Sequence, residues 1–472
     1  MTATEEAAAG KSRGRLRAKA VLISVIGLHL VAETALTPFL PQLFERLYGI
    51  EEPSATGLFI WIGRIVGLAA LPLWGLAARR WPLHRLVLAG LCGSAVFDLL
   101  LGLAPSYTAF LVLSAGVVAT NSAMLLAYPA FIAEHDDGTA DGEGARLAGI
   151  CSFVVVFHVS TVVSTLVGAG VLALPEPRVG ISAFAMLDLL LAWVTFRVLG
   201  SRPAAGATPT PDASGPAEKQ ESAEAEEGTA AGGEGTRPAA SRAAWFMMLA
   251  QAALIGVAFD FSVNVARPFF TQFAESLDSG STGSAVLFFL PSAAALAVLP
   301  AARRCHTALG DKLLPLSMAV GAAGLAWQAY VSSLPELAAG RVLFGIGLGL
   351  GQVAVELRAF RATGTAGPAF TAVETVRSAG LLAAPLVASA TVSHDLALPL
   401  IVAAAVQVAA TALSLRRMRV VPAPAPKLTP AAAGGGSTSP RELLDRRSTA
   451  EAAAQADGRP LAAVAHSEEN HR

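Results

Sequence analysis

The chain has 472 residues, of which 54% are hydrophobic and 15% are charged, and its mean hydropathy is +0.56. This balance excludes an ordinary soluble globular domain and places most of the chain in lipid. The formal net charge of −1 says nothing about a charged partner.

Twelve predominantly apolar runs are long enough to cross a bilayer, which takes about 20 residues in a helix. Because unpaired backbone groups are costly in hydrocarbon, runs of this length predict helices and not strands. We number the predicted helices 1 to 12 in chain order. They cover residues 19–44, 56–78, 85–104, 108–133, 147–173, 179–199, 245–274, 284–302, 313–332, 336–359, 368–392 and 396–416.

Basic residues are concentrated in the N-terminal tail, the middle linker, the final tail and the 2–3, 8–9 and 10–11 turns. By the positive-inside rule these segments, and therefore both termini, are cytoplasmic. The Pro-, Ala-, Gly-, Glu- and Ser-rich linker cannot bury enough apolar surface to offset its ordering entropy, which predicts disorder. The predicted organisation is a cytoplasmic basic tail (1–18), a six-helix bundle (19–199), a disordered cytoplasmic linker (200–243), a second six-helix bundle (244–417) and a disordered cytoplasmic tail (418–472).

Two short patterns are duplicated. The pattern Pro-Phe-x-x-Gln-x-x-Glu occupies residues 38–45 and recurs at 268–275, and Ala-Ala-Arg-Arg occupies 77–80 and recurs at 301–304. Matches at a nearly constant offset indicate an internal repeat. Two parallel halves with a site at their interface are a recurrent plan for secondary transporters, so transport is the first hypothesis.

Ionisable residues inside membrane spans cost roughly 2.5–3.5 kcal/mol each on insertion scales, so each one is a functional candidate. Glu33 in helix 1 and Asp260 in helix 7 lie near mid-membrane and are proton-coupling candidates, because a poorly hydrated carboxylate can load and release a proton. In the alternative, Glu33 only pairs with Arg64 of helix 2 and fixes packing. Glu374 of helix 11 is a third coupling candidate, and with Arg377 three residues later it can also form a neutral pair or latch an inward gate.

Five further polar residues are candidates for contact with a substrate. Asn264 lies about one turn after the helix 7 carboxylate, and Asn121 lies in helix 4. Arg267 and Arg341, in the outer halves of helices 7 and 10, can bind an anion or extend to the membrane interface. His158 of helix 5 can relay a proton or serve as an interhelical hydrogen bonder.

The remaining polar features have structural interpretations. For Asp98 and Asp188 in helices 3 and 6 we favour packing or interface roles over functional ones. Glycines at every second position within 341–351 favour close helix approach. For the acidic 4–5 loop at 134–143 we favour a solvated hinge over a cation-binding site. No nucleotide-binding, zinc-protease or nucleophile-elbow motif occurs, and the three cysteines lack metal-ligand spacing, so we expect no enzyme activity, cofactor or metal site.

This pattern resembles the major facilitator superfamily, and within it the bacterial efflux-type members, over about residues 19–416. The 2–3 turn of that family reads Gly-x-x-x-Asp-Arg-x-Gly and is followed by further basic residues. Gly75, Arg80 and Arg85 match it here, whereas Arg79 stands in place of the acid and Pro82 in place of the second glycine. The Gly-Pro signature that drug antiporters of the family have on helix 5 is absent.

The resemblance implies that helices 1, 4, 7 and 10 line a central cavity. That cavity would contain Glu33, Asn121, Asp260, Asn264, Arg267 and Arg341. The predicted gating residues of the cytoplasmic turns are Gly75, Arg80, Arg85, Arg303 and Arg304.

We therefore expect an all-α integral membrane protein of two pseudo-symmetric six-helix bundles, multi-pass in the plasma membrane. The predicted function is proton-coupled efflux, by alternating access, of a small organic molecule of the secondary-metabolite, siderophore or drug type. The alternatives are a proton-coupled importer of a small polar metabolite and a non-transporting polytopic sensor or scaffold. Expected partners are the lipid bilayer, a small-molecule substrate and protons, with no nucleic acid, and we expect a monomer.

Overall fold

The computed structural model describes residues 24–25, 27–78, 80–81, 83–125, 142–197, 239–363 and 368–416. Every regular element within these residues is helical. The principal helices are α1 (27–35), α2 (Pro53–Ala78), α3 (Leu83–Gly102), α4 (Tyr107–Leu125), α5 (Gly142–Ala173), α6 (Pro177–Thr195), α7 (Ala239–Val265), α8 (Gly280–Val298), α9 (Leu313–Ala329), α10 (Leu334–Thr363), α11 (Pro368–Val392) and α12 (Leu398–Leu415). We call α1–α6 the first half and α7–α12 the second half.

Several sequence predictions lie outside the described residues. These are the basic N-terminal tail, most of the acidic 4–5 loop, most of the linker, the final tail, and the turn residues Arg79 and Pro82. Where the linker meets the second half, α7 begins at Ala239, several residues before the predicted start of helix 7. The added turn reads Ala-Ala-Ser-Arg-Ala-Ala, and its alanines favour helix even without apolar burial.

Ten helical segments of the described residues are long and apolar enough to cross a membrane. One of them, Gly280–Ala329, combines α8 and α9; its 50 residues as one helix would measure about 75 Å, more than twice the hydrocarbon thickness of about 30 Å. Large apolar side chains such as Leu73 and Met186 remain 68% and 69% exposed on these helices, as lipid-facing residues do. The chain is therefore a multi-pass membrane protein.

The two duplicated patterns lie on equivalent backbone. After α1, a 3-10 turn (Thr37–Phe39) leads into the short helix Leu40–Tyr48, and after α7 the short helix Phe270–Glu275 follows. Phe39 and Phe269 precede the short helices with nearly identical dihedrals, φ −114°, ψ 8° and φ −113°, ψ 7°. A proline before each phenylalanine has no N–H to donate to the preceding turn, so the long helix ends there in both halves.

The contacts among four helices of the first half recur among four helices of the second half. In the first half α3 packs on α4 and α6, and α2 packs on α4; in the second half α9 packs on α10 and α12, and α8 packs on α10. The halves meet through α2 on α11 and through α5 on α8. These two contacts are equivalent under the repeat: α2 of the first half corresponds to α8 of the second half, and α5 of the first half corresponds to α11 of the second half.

The glycines of α10 allow three neighbouring helices to approach closely. Gly345 and Gly349 lie against α8, Gly347 lies against the backbone of α9, and Gly351 lies against Phe259 of α7. A Cβ atom at Gly349 would come within 2.9 Å of the α8 backbone, closer than real Cβ contacts. The structural interpretation of this glycine run is confirmed.

Candidate functional site

Three carboxylates from three helices surround one buried guanidinium, that of Arg377 on α11. Its Nε donates to Oδ2 of Asp260 on α7 at 2.9 Å, and its Nη2 donates to Oε1 of Glu356 on α10 at 2.8 Å. Its Nη1 donates to Oε1 of Glu374, one turn earlier on α11, at 2.7 Å. Arg377 is only 8% exposed. We call these four residues the Arg377 cluster.

Two glycines make room for this cluster. Gly256 lies one turn before Asp260 on the same face of α7, and a Cβ there would come within 2.8 Å of Cδ of Arg377. Gly380, one turn after Arg377, lies against the side chain of Val257. Because each helix has a glycine beside its charged residue, α7 and α11 approach closely enough for a direct ion pair.

The cluster contains more acid than base. Three ionised carboxylates and one guanidinium would have a formal charge of −2, which is unfavourable where water is scarce. Arg64 of α2 lies within electrostatic range of Asp260 and offsets part of this charge. The side chain of Glu374 is 38% exposed, against 17% for Glu356 and 21% for Asp260, so Glu374 is the carboxyl most accessible to a proton or a ligand.

A polar contact joins the two halves beside the cluster. Nη2 of Arg64 donates to Oδ1 of Asn264 at 2.6 Å, and Nδ2 of Asn264 donates to the carbonyl of Asp260 at 2.7 Å. The proposed pairing of Glu33 with Arg64 is therefore wrong, because the Arg64 guanidinium donates to the amide oxygen of Asn264 across the interface. Glu33 is exposed and forms no ion pair with any residue that the structure describes.

A second polar group at the interface surrounds His158 on α5. This ring is fully buried, and neither nitrogen has a hydrogen-bond partner among the described residues. The amide of Gln352 on α10 lies beside it, and the Oε1 atom of that amide is also unpaired within the described part of the chain. Arg267, two residues after the end of α7, is close enough for its charge to act on the ring. A predicted substrate-contact residue of α5 thus lies near one that follows α7.

Arg341 is occupied by protein groups. Its Nε and Nη2 donate to the carbonyls of Leu287 and Phe288 on α8, at 2.8 and 2.7 Å, and its guanidinium lies 3.8 Å from the ring centroid of Phe270. The residue that would normally donate to the Leu287 carbonyl is Pro291, four positions on, which has no N–H. Arg341 supplies that missing donor, and these contacts give no support to the predicted anion-binding role.

The other predicted residues lie apart from the Arg377 cluster. Asn121 is buried on α4, and its Oδ1 has no partner among the described residues. Around Gly75 on α2 there is open space, so no close contact requires a glycine there. The four arginines of the predicted gates are exposed side chains on the turn after α2, at the start of α3 and on the short helix Ala302–Leu309: Arg80, Arg85, Arg303 and Arg304.

The two copies of the duplicated pattern meet across the interface. Thr271 Oγ1 donates to the Pro38 carbonyl at 2.6 Å, and Gln42 Nε2 donates to Thr271 Oγ1 at 3.0 Å and to Glu275 Oε2 at 3.3 Å. We call this contact the motif latch. Where α5 meets α8 and α10, the halves are joined instead by an apolar cluster that includes Leu147.

Two functional candidates were missed from sequence. Glu356 lies within predicted helix 10, and His29 lies within predicted helix 1, where it is buried beside Asp188. The rule that an ionisable residue inside a span is a candidate would have selected Glu356. Its joining to Asp260 and Glu374 through one arginine depends on the helix packing, which no sequence signal gives.

Comparison with known proteins adds no name to this geometry. No family model matches the chain, and no curated protein matches it at a significant level. A functional assignment therefore depends on the repeat, the apolar helices and the buried polar contacts described above.

Proposed function

We propose that the protein is a proton-coupled secondary transporter with the twelve-helix architecture of the major facilitator superfamily. It exports a small organic molecule across the plasma membrane by alternating access. Two packing features support this: the contacts among α2, α3, α4 and α6 recur among α8, α9, α10 and α12, and the halves meet through two equivalent helix pairs. Halves related in this way can rock about a site between them.

The observation that carries the proposal is the Arg377 cluster. Four ionisable side chains in apolar helices are costly to insert into a membrane and mark a functional site by default. The cluster lies beside the Arg64–Asn264 contact, so it is next to the interface about which the halves would move. Its acidic excess makes it a proton acceptor, and Glu374 is the most accessible member.

A proton at Glu374 would act on the cluster through Arg377. Protonation removes the charge from one of the three carboxylates that hold the guanidinium, so the bond from Nη1 weakens relative to the bonds to Asp260 and Glu356. Those two residues belong to α7 and α10, whereas Glu374 belongs to α11. Loading a proton therefore changes the balance of forces among three helices of the second half, as coupling to a helix movement requires.

The surrounding groups favour a polar or zwitterionic cargo. Arg64 and Arg267 are cationic groups close enough for their charges to interact, and Asp260 lies close enough to Arg64 to interact with it as well. Carboxylates and guanidinium groups so near each other suit a molecule with groups of both signs better than a purely apolar cation. A secondary metabolite, a siderophore or a polar drug has this chemistry, and the direction of export follows the resemblance to efflux-type members.

The test compares small molecules inside and outside host cells that lack the protein, complemented with wild type, Glu374→Gln or Glu336→Gln. Glu336 is the matched control because it is exposed at the start of α10 and outside the cluster. We expect a compound to be retained in the deletion strain and released by wild type and E336Q, but not by E374Q. A compound left unconsumed outside would indicate import, and no difference in any medium would favour the sensor or scaffold.

A further inference from the structure

A second buried ionisable group lies in the first half, away from the Arg377 cluster. His29 of α1, Asp98 of α3 and Asp188 of α6 are 3%, 7% and 1% exposed. Nδ1 of His29 lies 3.9 Å from Oδ1 of Asp188, and Ser94 donates a hydrogen bond of 3.3 Å to Oδ2 of Asp98. The two carboxyl groups face each other closely enough to interact directly.

No cation of the described residues balances these carboxyls. The arginines on the same helices lie nine or more residues away, which corresponds to about 13 Å or more along a helix axis; they are Arg85, Arg178 and Arg197. The other titratable groups that the packed helices bring are Glu33 one turn along α1, the exposed Cys92 on α3, Tyr107 at the start of α4, and Cys151 and His158 on α5.

Two facing carboxylates without a cation cannot both be ionised in a low-dielectric interior, so they share at least one proton. His29 provides an independent indication that a ligand is missing. Both of its ring nitrogens, and both carboxyl oxygens of Asp188, are buried without a hydrogen-bond partner among the described residues. An imidazole that faces a carboxylate 3.9 Å away is about 1 Å too far for a hydrogen bond.

We propose that His29, Asp98 and Asp188 form a proton-binding site within the first half. One proton is held between the two carboxyl groups. A second proton on His29 creates an imidazolium that donates to Asp188 and closes the gap between α1 and α6. The ligand is a proton and not a metal ion, since no group of three or more metal-ligating side chains among the described residues has the geometry to hold one.

The site is separate from the proposed transport site. The main contacts of α3 and α6 are with helices of the first half. The connection to the rest of the molecule is α1, which leads from His29 to Pro38, whose carbonyl accepts the motif-latch bond from Thr271. A proton that moves α1 toward α6 therefore acts on the contact between the halves at that end.

Infrared difference spectroscopy of the purified full-length protein in lipid nanodiscs, recorded as the pH is changed without any substrate, tests the shared proton. We expect a protonated-carboxyl band in wild type that is lost or shifted in both Asp98→Asn and Asp188→Asn. Cys92→Ser, an exposed change on the same helix as Asp98, should keep the band. Identical spectra for wild type and both Asn variants would overturn the proposal.

The role of His29 is tested by NMR of histidine-labelled protein. The spectrum contains signals from all eight histidines, and we expect the one signal that is lost in His29→Gln to shift in Asp188→Asn. If the Asn variants do not fold, Ser94→Ala replaces them, because loss of the hydroxyl donor should shift the carboxyl band; an unshifted band would contradict the proposal. Since no substrate is present, failure of transport leaves these readouts unaffected.

Discussion

The two halves of this protein treat their buried acids differently. In the second half Arg377 bonds three carboxylates and Arg341 bonds two helix carbonyls. In the first half His29 and Asp188 are equally buried but have no hydrogen-bond partner among the described residues. The duplicated backbone thus accommodates buried acids that are paired with an arginine in one half and buried acids without such a partner in the other.

This difference indicates how protonation would change the helix contacts in each half. A guanidinium with several charge-assisted bonds holds neighbouring helices firmly, and a proton alters only one of its bonds. A histidine and two carboxyls without a cation have no fixed charge balance, so their protonation state decides whether the helices attract each other at all. We therefore expect the first half to respond to pH by moving α1, and the second half by rearranging bonds within the Arg377 cluster.

Removing the guanidinium from the Arg377 cluster should have the largest effect. Arg377→Gln leaves three buried carboxylates without their cation, which should cost about 3–5 kcal/mol of stability near neutral pH. Acidification should restore part of this loss, because protonation neutralises the carboxylates. Thermal unfolding in detergent at two pH values measures both effects.

Arg303→Gln, at an exposed arginine, is the matched control and should change stability by no more than about 0.5 kcal/mol. If R377Q were as stable as wild type at neutral pH, the second half would resemble the first, with acids that do not depend on a cation.

Arg341 should stabilise the protein without any dependence on pH. Arg341→Met leaves the Leu287 carbonyl without a donor and removes the guanidinium donor from the Phe288 carbonyl, at an expected cost of about 1–3 kcal/mol. Pro291→Ala restores a backbone N–H four residues after Leu287, so R341M should cost less in that background. A double-mutant cycle of thermal unfolding measures this coupling. Equal costs in both backgrounds would show that Arg341 does not compensate for the proline.

Close helix approach at the Arg377 cluster is tested by Gly256→Ala. The added methyl would contact Cδ of Arg377, and overpacking of this kind costs about 1–3 kcal/mol. Gly149→Ala on α5 is the control, because nothing lies within 4 Å of the added Cβ and alanine favours helix by up to about 1 kcal/mol. Thermal unfolding compares the two, and equal stability would mean that α7 and α11 have room to separate.

The sequence was sufficient to predict most of the helices because long apolar runs have no alternative in lipid. Predicted helices 1 and 7 were drawn too long, since the structure ends the long helix before each proline and begins a separate short helix after it. The repeat at 38–45 and 268–275 predicted equivalent backbone, and Phe39 and Phe269 have it. The candidate site was predicted only in part. Asp260 and Glu374 were named as candidates because any buried charge stands out, and they prove to be bonded to one arginine. Which charges meet depends on helix rotation, and a single sequence contains no signal for it.

The failed pairing of Glu33 with Arg64 shows the same limit. Both residues lie in neighbouring predicted helices, and opposite charges there favour a pair. In the structure Arg64 points across the interface to Asn264, a contact between halves 200 positions apart in the chain. The bonds from Arg341 to the α8 carbonyls could not be predicted from the sequence either. Pro291 within predicted helix 8 does indicate that one carbonyl lacks its helical donor, and in a membrane some other donor must reach it.

The smallest expected effect concerns the motif latch, which joins the two halves by hydrogen bonds. Gln42→Ala removes two side-chain hydrogen bonds, and we expect a loss of about 0.5–1.5 kcal/mol. The more sensitive readout is the distance between spin labels at Glu51 and Thr282, both exposed near this end, in a background without the three native cysteines. Q42A should broaden that distance distribution toward longer values, because the Thr271 bond to Pro38 alone then holds the halves together at this point.

Gln272→Ala is the matched control, since Gln272 occupies the equivalent position of the second copy and donates none of the latch bonds. If Q272A broadened the distribution as much as Q42A, the latch would be a property of both copies and the two halves would be less different than their buried charges indicate. If neither variant changed it, the other contacts between the halves would hold them in this arrangement, namely the apolar cluster between α5, α8 and α10, the packing of α2 on α11 and the Arg64–Asn264 bond.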